Sequence, residues 1–213
     1  AADEFLIRIE GKGGHGGLPH ETVDSVVIAS HLVVNVQSIV SRNVNPVEPA
    51  VISVGSVHAG TGFNVIAESA VLNGTVRSFS EDVRALLHRR LGETAQQTAA
   101  MFGATAVMET KWGYPVVRNH PDEAARFFAT AERLFDPGKV LESPPIMAGE
   151  DFAYYLQQVP GVFMFVGAGN AEQGIVYPHH HPRFDIDEAA MRHAGRLLLA
   201  MMWEYMQAAG RTA

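Results

Sequence analysis

Two helical stripes, each framed by runs of two-residue alternation, constrain the first half of this chain more than any other feature of its sequence. Phe5, Ile7 and Ile9 alternate with Leu6, Arg8 and Glu10, the mark of a strand with one buried face. Apolar residues then recur at helical spacing over 22–40, and Pro46 and Pro49 close that segment. Residues 51–57 form a β-branched strand, and Gly60-Thr61-Gly62 turns the chain. A long strand over 67–77 follows, with Val71, Asn73, Thr75 and Arg77 on one face. The second helix has both ends marked, by Ser80 as N-cap with Glu81 and Asp82 after it, and by Gly103 at its stop. Between them Val83, Leu87, Leu91, Ala95 and Phe102 make one stripe, and 105–111 alternates again. The order β-α-β-β-α-β is the ferredoxin-like pattern. It predicts a four-stranded antiparallel sheet with both helices on one face, ending near Gly113-Tyr114-Pro115.

The remaining residues predict a helix over 121–135 stopped by Pro137-Gly138, a short strand at 139–141 and a short helix opened by Gly149-Glu150-Asp151-Phe152. The all-apolar run 162–166 reads as a strand buried on both faces. Asp187 caps a long final helix carrying Ala190, Ala194, Leu197 and Met201.

Composition narrows the chemistry. With 47% hydrophobic and 18% charged residues, the 213-residue chain can fill a core and is not a disordered one. Its 16 Lys+Arg against 23 Asp+Glu give a formal charge of −7, with no basic run, so no nucleic-acid partner is expected. No apolar run reaches the length of a bilayer span, and residues 1–5 lack the pattern of a signal peptide, so neither membrane nor export is expected. The absence of cysteine excludes disulfides, thiolate metal sites and Cys nucleophiles, and fits a reducing cytoplasm. Chemistry must rest on His, Asp, Glu, Asn, Arg and backbone.

Four places could carry it. Gly11-x-Gly13-x-x-Gly16 has the spacing of a dinucleotide fingerprint, but Leu18-Pro19 intervenes before any helix and no acid-ended strand follows. What remains is a flexible turn that presents His15. Arg77 could grip a carboxylate with its planar fork and Asn64 could donate to a polarised carbonyl; the alternative is a turn-forming Asn and a solvated Arg. The triplet His179-His180-His181 could hold a metal or lie solvated at the surface. Glu150-Asp151 could be paired acids or the acidic first turn of a helix.

Six segments read together carry a resemblance: GKGGHGGLPHETVDSV at 11–26, QSIVSRNVNP at 37–46, GTGFNVIAESAVLNGTVRSF at 60–79, MAGEDFAYY at 147–155, VPGVFMFVGAGN at 159–170 and HHPRFDIDEAA at 180–190. In this order they resemble the C-terminal half of the metal-dependent amidohydrolase and peptidase family that includes hippurate hydrolase, N-acyl-amino-acid amidohydrolases, indole-acetyl-amino-acid hydrolases and carboxypeptidase G. The resemblance implies a ferredoxin-like lid and dimerisation domain at 3–114, followed at 115–213 by the C-terminal portion of an α/β catalytic domain. It implies hydrolysis of the amide of a small N-acyl amino acid, with two metal ions, commonly zinc or manganese, activating water beside a Glu base. His15 matches the lid histidine that reaches a neighbouring subunit's site to stabilise the oxyanion. Asn64 and Arg77 match residues that contact the substrate carbonyl and carboxylate, and His180 a metal ligand, with His179 and His181 leaving that register open by one.

The family's first half supplies the other metal ligands, from a His-x-Cys-Gly-His-Asp type segment and a Glu-Glu pair, and neither motif is present here. The expectation is therefore a fragment that binds few or no metal ions and is inactive alone, its activity belonging to the parent enzyme. The competing expectation is a non-catalytic ferredoxin-like dimerisation or binding module.

Overall fold

Strand β1 (Ala2–Glu10) runs through the middle of a four-stranded sheet and buries Phe5, Ile7 and Ile9 on one face, as its alternation requires. The computed structural model describes residues 1–209. After the two-residue strand β2 (Gly14–His15) come α1 (Ser25–Asn35) and α2 (Gln37–Asn43). Asp24 caps α1, its carboxylate accepting the Val26 N–H at 2.8 Å. The single helix expected over 22–40 is thus two helices. At Val36 the ladder tightens, with Ile39 N–H donating to Val36 C=O at 3.2 Å, and residues three apart then share a face. Both Val36 and Ile39 are buried. By length and composition alone 25–43 could cross a bilayer; Ile28, Leu32, Val36 and Ile39 lie in the core, while Val26, Val27 and Val34 are exposed.

Strands β3 (Ala50–Ala59), β4 (Val65–Ile66) and β5 (Ser69–Ser78) precede α3 (Glu81–Met101) and β6 (Thr105–Tyr114). The sheet order is β3-β5-β1-β6, antiparallel throughout. Ser80 caps α3, and its other end closes as a Schellman motif: Ala104 N–H reaches Ala99 C=O and Gly103 N–H reaches Ala100 C=O, both at 3.0 Å. This requires φ +79° at Gly103, which only glycine adopts without strain. Leu87, Leu91, Ala95 and Ala99 of α3 join Ile28 and Leu32 of α1 over Phe5, Ile7, Leu72 and Val76 in one core cluster. The opposite face, with Asn73, Thr75 and Arg77, stays half-exposed.

One charged group lies in that core-facing row. Asp3 is in phase with Phe5 and Ile7 and is 1% exposed. Its carboxylate accepts from Arg84 Nη2 at 2.5 Å and Nε at 2.7 Å, from His88 Nε2 at 2.8 Å and from Gly113 N–H at 2.8 Å. Burial alone would raise the Asp3 pKa, but the Arg84 fork, then Gly113 and His88, outweigh it and hold it at about 2. Trp112 lies under both side chains, its ring 5.0 Å from the Arg84 guanidinium and 4.5 Å from the His88 ring.

The chain divides into two compact units: residues 1–117 with 146–154, and 118–145 with those from 155 onward. In the second, α4 (Pro121–Leu134) packs on α6 (Ala189–Ala209); α5 (Phe152–Leu156) is short. Arg133 pairs with Glu204 at 2.5 Å, and the Tyr205 hydroxyl donates to the Glu123 carboxylate. Asp187 accepts the Ala189 N–H at 2.9 Å and so caps α6.

The strands expected at 139–141 and 162–166 are not formed. Pro137–Lys139 is a 3-10 turn, and 162–166 is irregular backbone. Side chains replace the ladder in part: Asn119 accepts the Phe163 N–H at 2.7 Å and donates to its carbonyl at 3.0 Å.

Because the fold depresses the Asp3 pKa, the stabilisation it brings is complete above the unfolded value of 3.8 and is lost as pH falls through about 2. That difference corresponds to about 2 kcal/mol. Urea unfolding of the chain should therefore show this loss between about pH 4 and pH 2. Asp3→Asn should remove that part of the pH dependence and cost about 3–5 kcal/mol at neutral pH, since Arg84 is left buried without its anion.

Candidate functional site

The glycine run of 11–17 leaves the sheet as an antiparallel ribbon, not as the start of a helix. His15 pairs with Val65, and Gly16 N–H donates to Asn64 C=O at 2.9 Å. A Cβ at Gly16 would sit 2.9 Å from that oxygen, so the close approach needs glycine. His15 and Asn64 therefore occupy neighbouring register positions on facing arms of the ribbon, both exposed. Gly17 N–H donates to His15 Nδ1 at 2.9 Å. A backbone N–H can only donate, so Nδ1 is an acceptor and the neutral ring carries its proton on Nε2. Nε2–H of His15 and the Asn64 amide are each a donor suited to an oxygen that gains negative charge. Among the described residues the Asn64 side chain forms no hydrogen bond.

Arg77 lies at the other end of β5. The ribbon departs beside Glu10 and Ser69, and about 26 Å of strand, at roughly 3.3 Å per residue, separates Ser69 from Arg77. Arg77 is half-buried, its Nε–H donates to Thr75 Oγ1 at 3.0 Å, and it forms no ion pair among the described residues. A methyl added at Gly149 would come within 3.7 Å of its Nη1, so the loop before α5 lies against the guanidinium. The cation is held in place with its charge unmatched, as a carboxylate-binding fork would be.

The acids of that loop act locally: Glu150 accepts the Phe152 N–H at 3.3 Å, which is the work of a helix first turn. In the second unit His181 is committed, its Nδ1 accepting the Arg183 N–H at 3.0 Å and its ring stacked on Tyr177 at 4.3 Å. His180 is exposed and holds φ +66°, a left-handed conformation uncommon outside glycine. His179 meets it edge-on at 6.5 Å. A metal ion needs several convergent ligands, and among the described residues no three His, Asp or Glu side chains converge on one point. These residues do not by themselves fit a metal pair.

Sequence reasoning missed Asp3, Arg84, His88 and Thr75. A signal was present for the first three. Asp3 occupies a core-facing position of its strand, and Arg84 and His88 recur in phase with Leu91 and Ala95 on the buried side of α3. An acid in a core row calls for a cation opposite.

Comparison with known proteins follows the same outline. Residues 11–204 match the peptidase family M20/M25/M40. An amidohydrolase-named protein of Bacillus subtilis (strain 168), YhaA, is 47% identical over 207 residues, covering 97% of this chain and 52% of its own length. N-acetyldiaminopimelate deacetylase of Streptococcus sanguinis (strain SK36) is 43% identical over 192 residues, covering 88% of this chain and 48% of the enzyme. The crystal structure of the Bacillus subtilis YXEP protein, a dinuclear metal-binding peptidase of the M20 family, superposes with a TM-score of 0.74 at 28% identity, over 94% of this chain and 49% of that one. The chain thus spans about half the length of the curated relatives it matches.

If the close Gly16–Asn64 contact holds the two arms of the ribbon together, Gly16→Ala should part them. Amide exchange at position 16 should then speed up by at least about tenfold, while Ile7 and Leu72 in the sheet keep their protection.

Proposed function

The chain belongs to the peptidase family M20/M25/M40, and on that premise we propose that it is the substrate-clamping part of an enzyme that hydrolyses the amide of N-acyl amino acids. We read residues 3–114 as a ferredoxin-like lid, supported by the strand order β3-β5-β1-β6 with its core on one face only. Residues 115–213 are then the C-terminal portion of the catalytic domain. The observation that carries the reading is Arg77, a half-buried cation aligned by Thr75 without an acidic partner among the described residues.

In this reading Arg77 binds the substrate carboxylate. His15 Nε2–H and the Asn64 amide donate to the amide oxygen as it becomes an oxyanion, so their contribution appears at the transition state. A carboxylate and an amide oxygen on the same amino acid lie a few ångströms apart, whereas the two groups of donors stand at opposite ends of β5. One copy cannot apply both to one substrate. Two copies joined as a homodimer through the lid can, with Arg77 from one and His15–Asn64 from the other. The whole enzyme takes two divalent ions, zinc or manganese, and His180 is the ligand this chain contributes. The 213 residues alone lack the remaining ligands and should not turn over substrate.

In the full-length enzyme, His15→Ala should depress kcat for N-acetyl amino acids by about 10²–10³, the usual cost of one oxyanion donor. Arg77→Lys should chiefly raise KM, and blocking the substrate carboxylate as an amide should abolish the difference between wild type and Arg77→Lys. Mixed dimers of His15→Ala and Arg77→Ala should regain activity, because one site per dimer then has both groups intact. Dimers that exchange subunits without regaining activity would show that each copy works with its own residues.

A further inference from the structure

We infer that Thr75 is a positioning residue for Arg77: its hydroxyl fixes the guanidinium so that the terminal nitrogens are kept for a carboxylate ligand. This deepens the reading of Arg77 given above and rests on it. The hydroxyl stands between two groups whose roles chemistry dictates. Asp3 C=O, 2.7 Å from Oγ1, can only accept, so the hydroxyl proton points to it. Arg77 Nε, 3.0 Å from the same oxygen, can only donate, so the lone pair left on Oγ1 faces Nε–H. Thr75 and Arg77 share a face of β5, two residues apart. The β-branch of Thr restricts its own rotamer, which makes it a stiffer support than serine.

The support is anchored in turn. The carbonyl that orients Thr75 belongs to Asp3, whose side chain is tied to Arg84, His88 and Gly113. Asp3 gives Arg77 a fixed oxygen to lean on through Thr75, while its own charge is matched by Arg84. Nη1 and Nη2 of Arg77 make no hydrogen bond among the described residues. A flexible arginine gives up rotamer freedom when it is fixed. An arginine already fixed at Nε has surrendered part of that before the ligand arrives, which tightens binding without a new contact. A threonine present merely as a good strand former would predict none of this.

The test uses two isosteric changes. Thr75→Val keeps the shape and removes the hydroxyl; Thr75→Ser keeps the hydroxyl. In ¹⁵N NMR of this chain, with the Arg77 Nε–H signal identified by its loss in Arg77→Lys, wild type and Thr75→Ser should show slow exchange with water. Thr75→Val should exchange at least about tenfold faster while the amides of Leu72 and Val76 keep their protection. In the full-length enzyme Thr75→Val should raise KM for an N-acetyl amino acid about tenfold with kcat within about twofold, and Thr75→Ser should restore it. Equal Nε–H exchange in wild type and Thr75→Val overturns the proposal. Should Thr75→Val fail to fold, a wild-type Nε–H that exchanges as fast as that of the exposed Arg42 overturns it equally. Titration with N-acetylglycine separates the two readings: Arg77 signals that do not move, beside an intact Thr75 effect on Nε–H, reject Arg77 as the carboxylate binder and with it the purpose assigned to Thr75.

Discussion

The first strand carries an aspartate in a row that otherwise faces oil, and much of the first unit is arranged around that fact. A buried carboxylate without partners would cost several kcal/mol or take up a proton. Here α3 supplies Arg84 and His88 one turn apart, and the Gly113 N–H of β6 completes the set. The bonds join residues 81 to 110 positions distant in the chain, so they form only when β1, α3 and β6 are all in place. One group thereby ties the sheet to its helix at the end where Arg77 stands, and through the Asp3 carbonyl it extends to Thr75.

The two ends of the sheet differ in kind. At the Arg77 end Nε–H, the Thr75 hydroxyl and both ends of Asp3 are committed, which produces a stiff cation. At the other end a glycine-rich ribbon carries His15 and Asn64 into solvent, held by backbone pairing alone. The stiff end suits recognition of a fixed charge. The ribbon exposes His15 and Asn64, with the His15 tautomer set by the neighbouring Gly17 amide.

Most of the first unit was legible because its signals are local. The caps of α3, the Schellman glycine and the alternation of β1 and β5 are each decided within a few residues. The break at Val36 was not, since it reflects how two buried residues meet the sheet and not helix propensity. The run at 162–166 reads as a strand because its side chains are right for one. A strand, however, is defined by its neighbour, and the neighbour is never written in the strand's own sequence. His15, Asn64 and Arg77 could be marked as candidates from residue type and resemblance, but their separation along β5 is a property of register that spacing in the sequence did not reveal. Thr75 was placed on the right face and its service to Arg77 went unseen, because a threonine in a strand needs no explanation until its two partners are known.

The ten residues of β5 are hydrogen-bonded on both edges, by β1 and by β3. An interior strand of this kind is a ruler with coarse graduations. Lengthening it by one residue would turn Asn73, Thr75 and Arg77 into the core, so its length can change only in pairs, by steps of about 7 Å. Small changes in the setting of His15, Asn64 or Arg77 are thus left to the segments at the ruler's two ends, the ribbon of 11–18 and 60–66 and the loop before α5, while the span between them stays constant.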